Sequence, residues 1–343
     1  MPRQMILFAI ATLLPVPMIA AAAILGGGWV LLALAYLTLF TATLDEVVRR
    51  VVPATEGVEF PAAAGLSITL AGLHFALMAL VVSVIALSDG LGSWEKAGLF
   101  AAAGLFFGQV SNSNAHELIH ARDRLRHRLG MWVYISMLYG HHTSAHPLVH
   151  HVRVATRADP ATSRRGESFY RYVGRAWRGG FRQGLAAETA RIERARLPRW
   201  RHPYALYVGG ALAIGLAVLW LTGLKGLLVW IGLAGYAQAQ LLMSDYVQHY
   251  GLIRATDAKG KPVPTGPAHS WNSPHLWSSA LMLNAPRHSD HHASPARPYP
   301  ALRLDDDLPM LPRSLPVMSC LALHPRRWRK VMDPLADAWS GRT

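Results

Sequence analysis

Apolar positions in this chain neither alternate nor recur every three or four residues; they fill whole blocks, near 6–25, 29–44, 64–87, 97–110, 204–221 and 226–243. A bilayer core is crossed by about 20 consecutive apolar residues in helical form, so the pattern predicts six membrane-crossing helices. The first block follows a weakly basic start at Arg3, as a signal peptide would, but the second follows almost at once with no polar region or cleavage pattern between them. A retained helical hairpin is the expectation. Pro53, Gly57 and Pro61 mark a loop, and 88–93 a short outer turn. The fourth block falls short of a full span; its helix is expected to run on from Ser111 to His120, carrying polar residues out of the lipid.

Composition agrees. The chain has 343 residues, 52% of them hydrophobic, and a mean hydropathy of +0.20, which puts most of it in lipid rather than around one soluble core. The expected fold class is an all-α integral membrane protein of one domain, 1–343: four helices in 1–120, a basic cytosolic segment in 121–203, two helices in 204–243 and a histidine-rich cytosolic cap in 244–343. Formal net charge is +14, and 121–201 alone holds 17 Arg against 5 Asp or Glu. The positive-inside tendency then places this segment, both termini and everything after Met243 in the cytosol, the Arg122 to Arg128 cluster counting most because it adjoins the fourth helix. Between Asp159-Pro160 and Arg201 basic and apolar residues mix as they do in interfacial helices, with the basic face against headgroups. Nucleic acid is excluded, because aromatic interleaving is sparse and the segment is tied to a bilayer; anionic lipid or an acidic protein suits it better. The single Cys320 excludes an internal disulfide and any cysteine-built iron–sulfur or rubredoxin centre, so electrons for redox chemistry would come from another protein.

Candidate chemistry lies in four histidine runs at the cytosolic edge: His116-Glu-Leu-Ile-His120, His146-Pro-Leu-Val-His150-His151, Gln248-His249-Tyr250 and His288-Ser-Asp-His291-His292. Imidazole is a common transition-metal ligand, and these nine exceed what one ion can use, so two ions is the minimal reading. Helical spacing pairs His116 with His120, His146 with His150, and His288 with His291 and His292. All-nitrogen ligation leaves the metal charge to be balanced by water, hydroxide or reactive oxygen, which argues for redox chemistry while leaving iron, zinc and copper open. Glu117 and Asp290 lie inside the runs, where a carboxylate accepting an imidazole N–H fixes its tautomer, and His141, His142 and His269 are further outer candidates. His74 sits in an apolar block and reads as helix packing; His127, His202, His275 and His324 need no special role. One rival is a membrane zinc protease using His116-Glu117-x-x-His120, which leaves six of the histidines without a task. A metal transporter would need polar residues through its helices, and these are largely bare apart from His74.

Several ordered strings go further: Asn114-Ala-His-Glu-Leu-Ile-His120, His150-His-Val-Arg-Val-Ala-Thr156 continuing through Asp159-Pro-Ala161, Gln248-His-Tyr-Gly-Leu252, His269-Ser-Trp-Asn-Ser273, Pro286-Arg-His-Ser-Asp-His-His-Ala-Ser-Pro295 and Trp328-Arg-Lys-Val-Met-Asp-Pro334. In these the chain resembles the membrane alkane 1-monooxygenases, relatives of the xylene monooxygenase hydroxylase and of the histidine-rich fatty acid desaturases; before Ser111 mainly hydropathy agrees. The resemblance implies six transmembrane helices with a cytosolic cap in the bacterial cytoplasmic membrane. It implies a non-haem di-iron site held by His116, His120, His146, His150, His151, His249, His288, His291 and His292. It also implies oxygen as co-substrate, hydroxylation of the terminal carbon of n-alkanes to primary alcohols, and electrons from rubredoxin, itself reduced by an NADH-dependent rubredoxin reductase. Another apolar substrate, a methyl-aromatic or a terpene, is the alternative; a desaturase fits the His249-Tyr-Gly and Arg287-His-Ser-Asp-His-His strings less well. The chain departs from the family at Ala145 and Gln248, each in place of a usual glutamate, and at Val149 in place of glycine. Leu39, Phe40 and Phe75 are candidate walls of a substrate channel, chosen from their membrane segments.

Overall fold

The computed structural model describes residues 3–48, 61–305 and 307–340. Among these the chain is helical, with two isolated bridges, Thr256 to Pro262 and Asn272 to Met310, and no strands. Four helices are long and apolar enough to cross a membrane: Met5–Leu25, Gly28–Val47, Ala62–Leu87 and Pro203–Gln248. The first two form the expected hairpin. Gly26 and Gly27 turn the chain at φ +62° and +54°, values open to glycine, and the Glu95 carboxylate accepts the Gly27 and Gly92 amides at 2.6 Å each. That carboxylate fastens the turn to the start of the helix Ser93–Phe106. Of the loop expected at 53–61, only Pro61 lies among the described residues, and it opens the helix Pro61–Leu87.

Pro203–Gln248 runs for 46 residues but reverses at Gly223, whose φ of 70° and ψ of −171° are not helical. A Cβ on Gly215 would come within 3.1 Å of the Trp230 ring, whereas 15 residues of straight helix would separate them by about 22 Å. The two arms therefore fold back on one another, as two separate apolar blocks predict. Leu212, Leu216, Trp220, Leu224 and Leu228 point outward from them, the surface a helix presents to hydrocarbon rather than to water.

The fourth block continues as helix from Ser93–Phe106 through a π turn at Phe107–Ser111 into Asn112–Ile119, reaching His120 as expected. Its neighbour is the second arm of the Gly223 hairpin, and the contact is close because two glycines permit it: a Cβ on Gly104 would lie 2.2 Å from Tyr236, and one on Gly108 2.1 Å from Gln240. Gln240 Nε2 donates to the Gly104 carbonyl at 2.8 Å, and Asn112 Nδ2 donates to the carbonyls of Ala237 at 2.8 Å and Gly108 at 3.1 Å. These bonds tie the two helices that end at His120 and His249 to each other.

Beyond these ends lies a cap built by Phe169–Arg194 and the C-terminal helix Pro325–Ser340, while Arg124–Ser136 folds back along Asn112–Ile119 to bring Ser136 to His74 at 2.8 Å. Tyr172, Tyr246, Tyr250, Trp271 and Trp328 are fully buried in it. All their polar tips but that of Trp328 are used: Trp271 Nε1 donates to the Tyr250 carbonyl at 2.8 Å and the Tyr250 hydroxyl to Asp333 at 2.7 Å. The Arg-rich stretch is one long helix, Phe169–Arg194, followed by a basic turn.

Candidate metal centre

All nine histidines of the four runs converge, in two adjoining groups. His116, His120, His146, His151 and His291 form one; His150, His249, His288 and His292 form the other, and within each group the donor nitrogens lie within 4.8 Å of one another. The rings of His151 and His292 face across the junction at 4.6 Å.

Backbone geometry decides which histidine goes where. His116 and His120 share a helix face at four residues' spacing, as expected. The pairing of His146 with His150 does not hold, because the chain makes a π turn over His146–His150, with the His151 amide bonded back to the His146 carbonyl. An i, i+5 turn brings His146 beside His151, Nε2 to Nε2 at 2.9 Å, and sends His150 to the other group. The short helix His288–Ala293 also straddles the pair: His288 and His292 meet at 3.1 Å, while His291 turns to His151 at 3.1 Å. Two of the four runs thus serve both groups, and neither group can form without the other.

The nitrogen edges are informative. His116 to His146 is 2.7 Å, His146 to His151 2.9 Å, and His249 to His288 3.0 Å. Two ligands at right angles around an ion with bonds of ~2.1 Å stand ~3.0 Å apart, so the imidazoles sit as if about a common centre. His120 Nε2 and His150 Nε2 are buried with no hydrogen-bond partner, a costly arrangement unless they bind something in the middle. Burial, then repulsion among the rings, holds His116, His146, His151, His249, His291 and His292 well below the usual imidazole range, and burial pushes His120 down to about 4 and His288 to about 3. Neutral imidazole is the form that ligates. His150 goes the other way: burial alone would lower it, but the Asp159 carboxylate raises it.

Asp159 is the residue that sequence reasoning missed as a supporting group. Its Oδ2 receives His150 Nδ1 at 2.8 Å and the Thr162 hydroxyl at 2.7 Å, fully buried, in the carboxylate–histidine arrangement that fixes a ligating ring. Asn272 was missed too. Its Oδ1 accepts the Ser289 amide at 2.9 Å, and its Nδ2 donates to Ser289 Oγ at 2.7 Å and the Ser270 carbonyl at 3.1 Å, pinning the helix that carries His288 and His292. Both partners are distant in sequence from the rings they steady, so no periodicity marks them.

The outer candidates come out differently from expectation. Asp290 does not meet an imidazole: its carboxylate pairs with Arg297 and accepts the Arg303 amide at 2.8 Å, holding the loop after the fourth run. Glu117 faces the Tyr299 backbone and the edge of an opening of about 440 Å³ shared with His120, Arg122, Arg126 and Arg297; burial raises it to about 7. His142 stacks between Tyr139 and His146, at 5.1 and 4.9 Å, whereas His141 packs on Trp177 and Phe181. It is the backbone of His269 that serves His249, while the His269 ring takes the Gly266 amide. Leu39 and Phe40 are 72% and 44% exposed, Phe40 stacking on Tyr36 at 5.4 Å and meeting Trp277 edge-on at 5.6 Å, and Phe75 sits edge-on to His74 at 5.2 Å.

The unusual residues have local reasons. Gln248 donates to the Ala285 carbonyl at 3.1 Å and accepts from Ser244 at 2.8 Å, a pairing that a carboxylate, lacking a donor, could not make. Ala145 is buried against Gly184 of the long cap helix, where a Cβ would already come within 3.0 Å of the Ala145 methyl.

A profile of the fatty acid desaturase family matches residues 92–320, and the chain belongs to that family. It is 34% identical over 78% of its length to the alkane 1-monooxygenase of Pseudomonas putida, and 33% identical over 71% to alkane 1-monooxygenase 1 of Pseudomonas aeruginosa. Similarity extends to the xylene/toluene monooxygenase hydroxylase component XylM of Pseudomonas putida, 28% identical over 66% of this chain. The match spans 67%, 64% and 61% of those three relatives.

Proposed function

We propose that this membrane protein is an alkane monooxygenase whose two histidine groups hold a pair of iron ions, hydroxylating a terminal carbon to a primary alcohol. The observation that carries this reading is the sorting of nine buried imidazoles into five and four around two adjoining centres, in a chain whose relatives are named alkane 1-monooxygenases. Iron bound there would supply, with oxygen, an oxidant strong enough for an unactivated C–H bond: R–CH3, O2, two electrons and two protons give R–CH2OH and H2O.

The chain's own residues do the rest. Neutral rings present nine nitrogens and no charge, so the ions keep their full electrophilicity. Asp159 orients His150, and Asn272 sets the helix of His288 and His292. Phe106, Phe107 and Tyr134, buried next to the helix that carries His116, keep the membrane side of the centre apolar and exclude water from it. A long alkane partitions into bilayer with about 0.8 kcal/mol for each CH₂ and meets the centre from that side.

Counting the Ser93–Ile119 helix and both arms of the Gly223 hairpin with the three other apolar helices gives six crossings, with the cap on the arginine-rich, cytosolic side of a bacterial inner membrane. No cysteine cluster exists to store electrons, so an external carrier delivers them; an acidic rubredoxin, with its NADH-dependent reductase, suits the positive field of the cap. A zinc protease would use His116, His120 and one further ligand, and would leave the whole second group unexplained.

The test is product analysis with isotopically labelled oxygen. Anaerobically prepared protein given octane, hexadecane or p-xylene with a rubredoxin system is expected to place label from O2 in a terminal alcohol. Label drawn from water would overturn the reading, and p-xylene turning over while alkanes do not would move the substrate to methyl-aromatics.

A further inference from the structure

We propose that the arginine-rich corner joining the long cap helix to the fifth membrane helix is a binding site for the headgroup of an anionic phospholipid. The corner is built, not loose. Phe169–Arg194 ends in a double-bonded cap, Leu197 N to the Ile192 carbonyl and Arg196 N to the Glu193 carbonyl, both 3.0 Å, with Arg196 in the left-handed region at φ +50° where glycine is usual. A single turn, Arg199–Arg201, follows at once, and Pro203 then opens the apolar helix, whose first amides are capped by His202 Nδ1. Little chain entropy remains to be lost when a ligand binds here.

Its chemistry is that of a phosphodiester receptor. Arg191, Arg194, Arg196, Arg199 and Arg201 lie within eleven residues and are all exposed, with Glu193 the one acid among them. The Glu188 carboxylate is taken by Arg191 at 2.7 Å and Ser144 at 2.6 Å, so it does not neutralise the others. Arg201 lies over the Trp200 ring at 5.1 Å. Guanidinium forks match phosphate oxygens, and an indole at the membrane edge is an interfacial anchor.

A lipid fits this surface better than an acidic protein. Trp200 is 75% exposed and Leu197 42%, and the membrane helix that follows carries an exposed apolar strip at Val208, Leu212 and Leu216, 48%, 63% and 67% exposed. A headgroup at the arginines would lay its acyl chain along that strip, whereas a soluble partner would meet a projecting indole beside hydrocarbon. The inference rests on the membrane reading of the helix after Pro203 and not on the hydroxylase reading.

The experiment uses full-length protein taken into detergent from an equimolar mixture of phosphatidylglycerol and phosphatidylcholine, with retained lipid counted by native mass spectrometry. Wild-type protein is expected to keep phosphatidylglycerol in preference. The triple variant R196Q/R199Q/R201Q should lose that preference by roughly fivefold for each arginine, while the lysine counterpart retains most of it. Trp200→Ala should lower retention of both lipids and leave their ratio alone. The single variants R199Q and R201Q, each expected to lower the ratio about fivefold, repeat the test with less disturbance of the fold. An unchanged ratio in the glutamine variants overturns the proposal, as does loss of an acidic soluble redox protein's binding with the lipid ratio intact. Alkane turnover is not the readout, so failure here is distinct from failure of the proposed activity.

Discussion

The two histidine groups use the same donor but are supported in different ways. The group of five draws on the end of the fourth helix, both flanks of the π turn and His291, and among the described residues no carboxylate is hydrogen-bonded to its rings; His146 Nδ1 and His151 Nδ1 are buried without partners. The group of four is tied from behind at two rings, His150 to Asp159 and His249 to the His269 backbone, while His288 and His292, whose Nδ1 atoms are likewise without partners, are held through Asn272 and Ser289 on their helix. One centre is thus braced by hydrogen bonds and charge, the other by the packing of the helices that bring it together. Such an asymmetry makes two chemically alike sites unequal in acidity, affinity and tolerance to change.

Removing a ring from either group should have the largest effect. His151→Ala or His249→Ala is expected to abolish hydroxylation, beyond the roughly 100-fold typical of supporting residues, and to lower the metal content, read by elemental analysis. Normal turnover in either variant would contradict the two-group arrangement. Asp159→Asn tests the bracing itself: metal affinity of the group of four should fall roughly 10- to 100-fold, with the group of five much less affected, followed by chelator competition. Asn272→Ala leaves the Ser289 amide and hydroxyl short of a partner in a buried place, costing about 1–3 kcal/mol in thermal unfolding and loosening the same group.

Acidification sharpens the comparison. A ring held low in the folded protein binds a proton when unfolded below about pH 6.5 but not when folded, so the unfolded state takes up more protons and stability falls as pH drops, by up to ~1.4 kcal/mol per unit for each such ring. His150, raised by Asp159, has the opposite sign, and its contribution is lost as pH rises through its folded value. The group of four, which holds the one ring raised above the usual imidazole range, should therefore lose its metal to protons at a higher pH than the group of five, whose rings are all shifted down. Equal release from both groups would count against the asymmetry. The smallest effect is expected at Leu39→Trp, at an exposed position, where the product chain-length profile should not change.

How much of this the sequence shows depends on what each feature obeys. Blocks of apolar residues follow one rule, hydrocarbon thickness, and the helices fall close to where the blocks are. The nine donors are equally visible, since nothing else explains so many paired histidines. Their sorting is not: an α-helical rule joins His146 to His150, and only the π turn reveals His146 with His151. Asp159 and Asn272 act across loops, where contact depends on the finished fold. Leu39 and Phe40 are chosen by position alone, because Gly28–Ala35 is apolar on every side and gives no pattern that tells an inward face from one turned to lipid. Asp290 shows the converse, a carboxylate inside a histidine run that turns to arginine because the loop after it folds back.

Metal counting on active, anaerobically purified protein addresses the central claim most directly. Two irons per polypeptide, falling together with activity when His151 or His150 is replaced, is the predicted result. One ion per chain, or zinc in the active preparation, would contradict it.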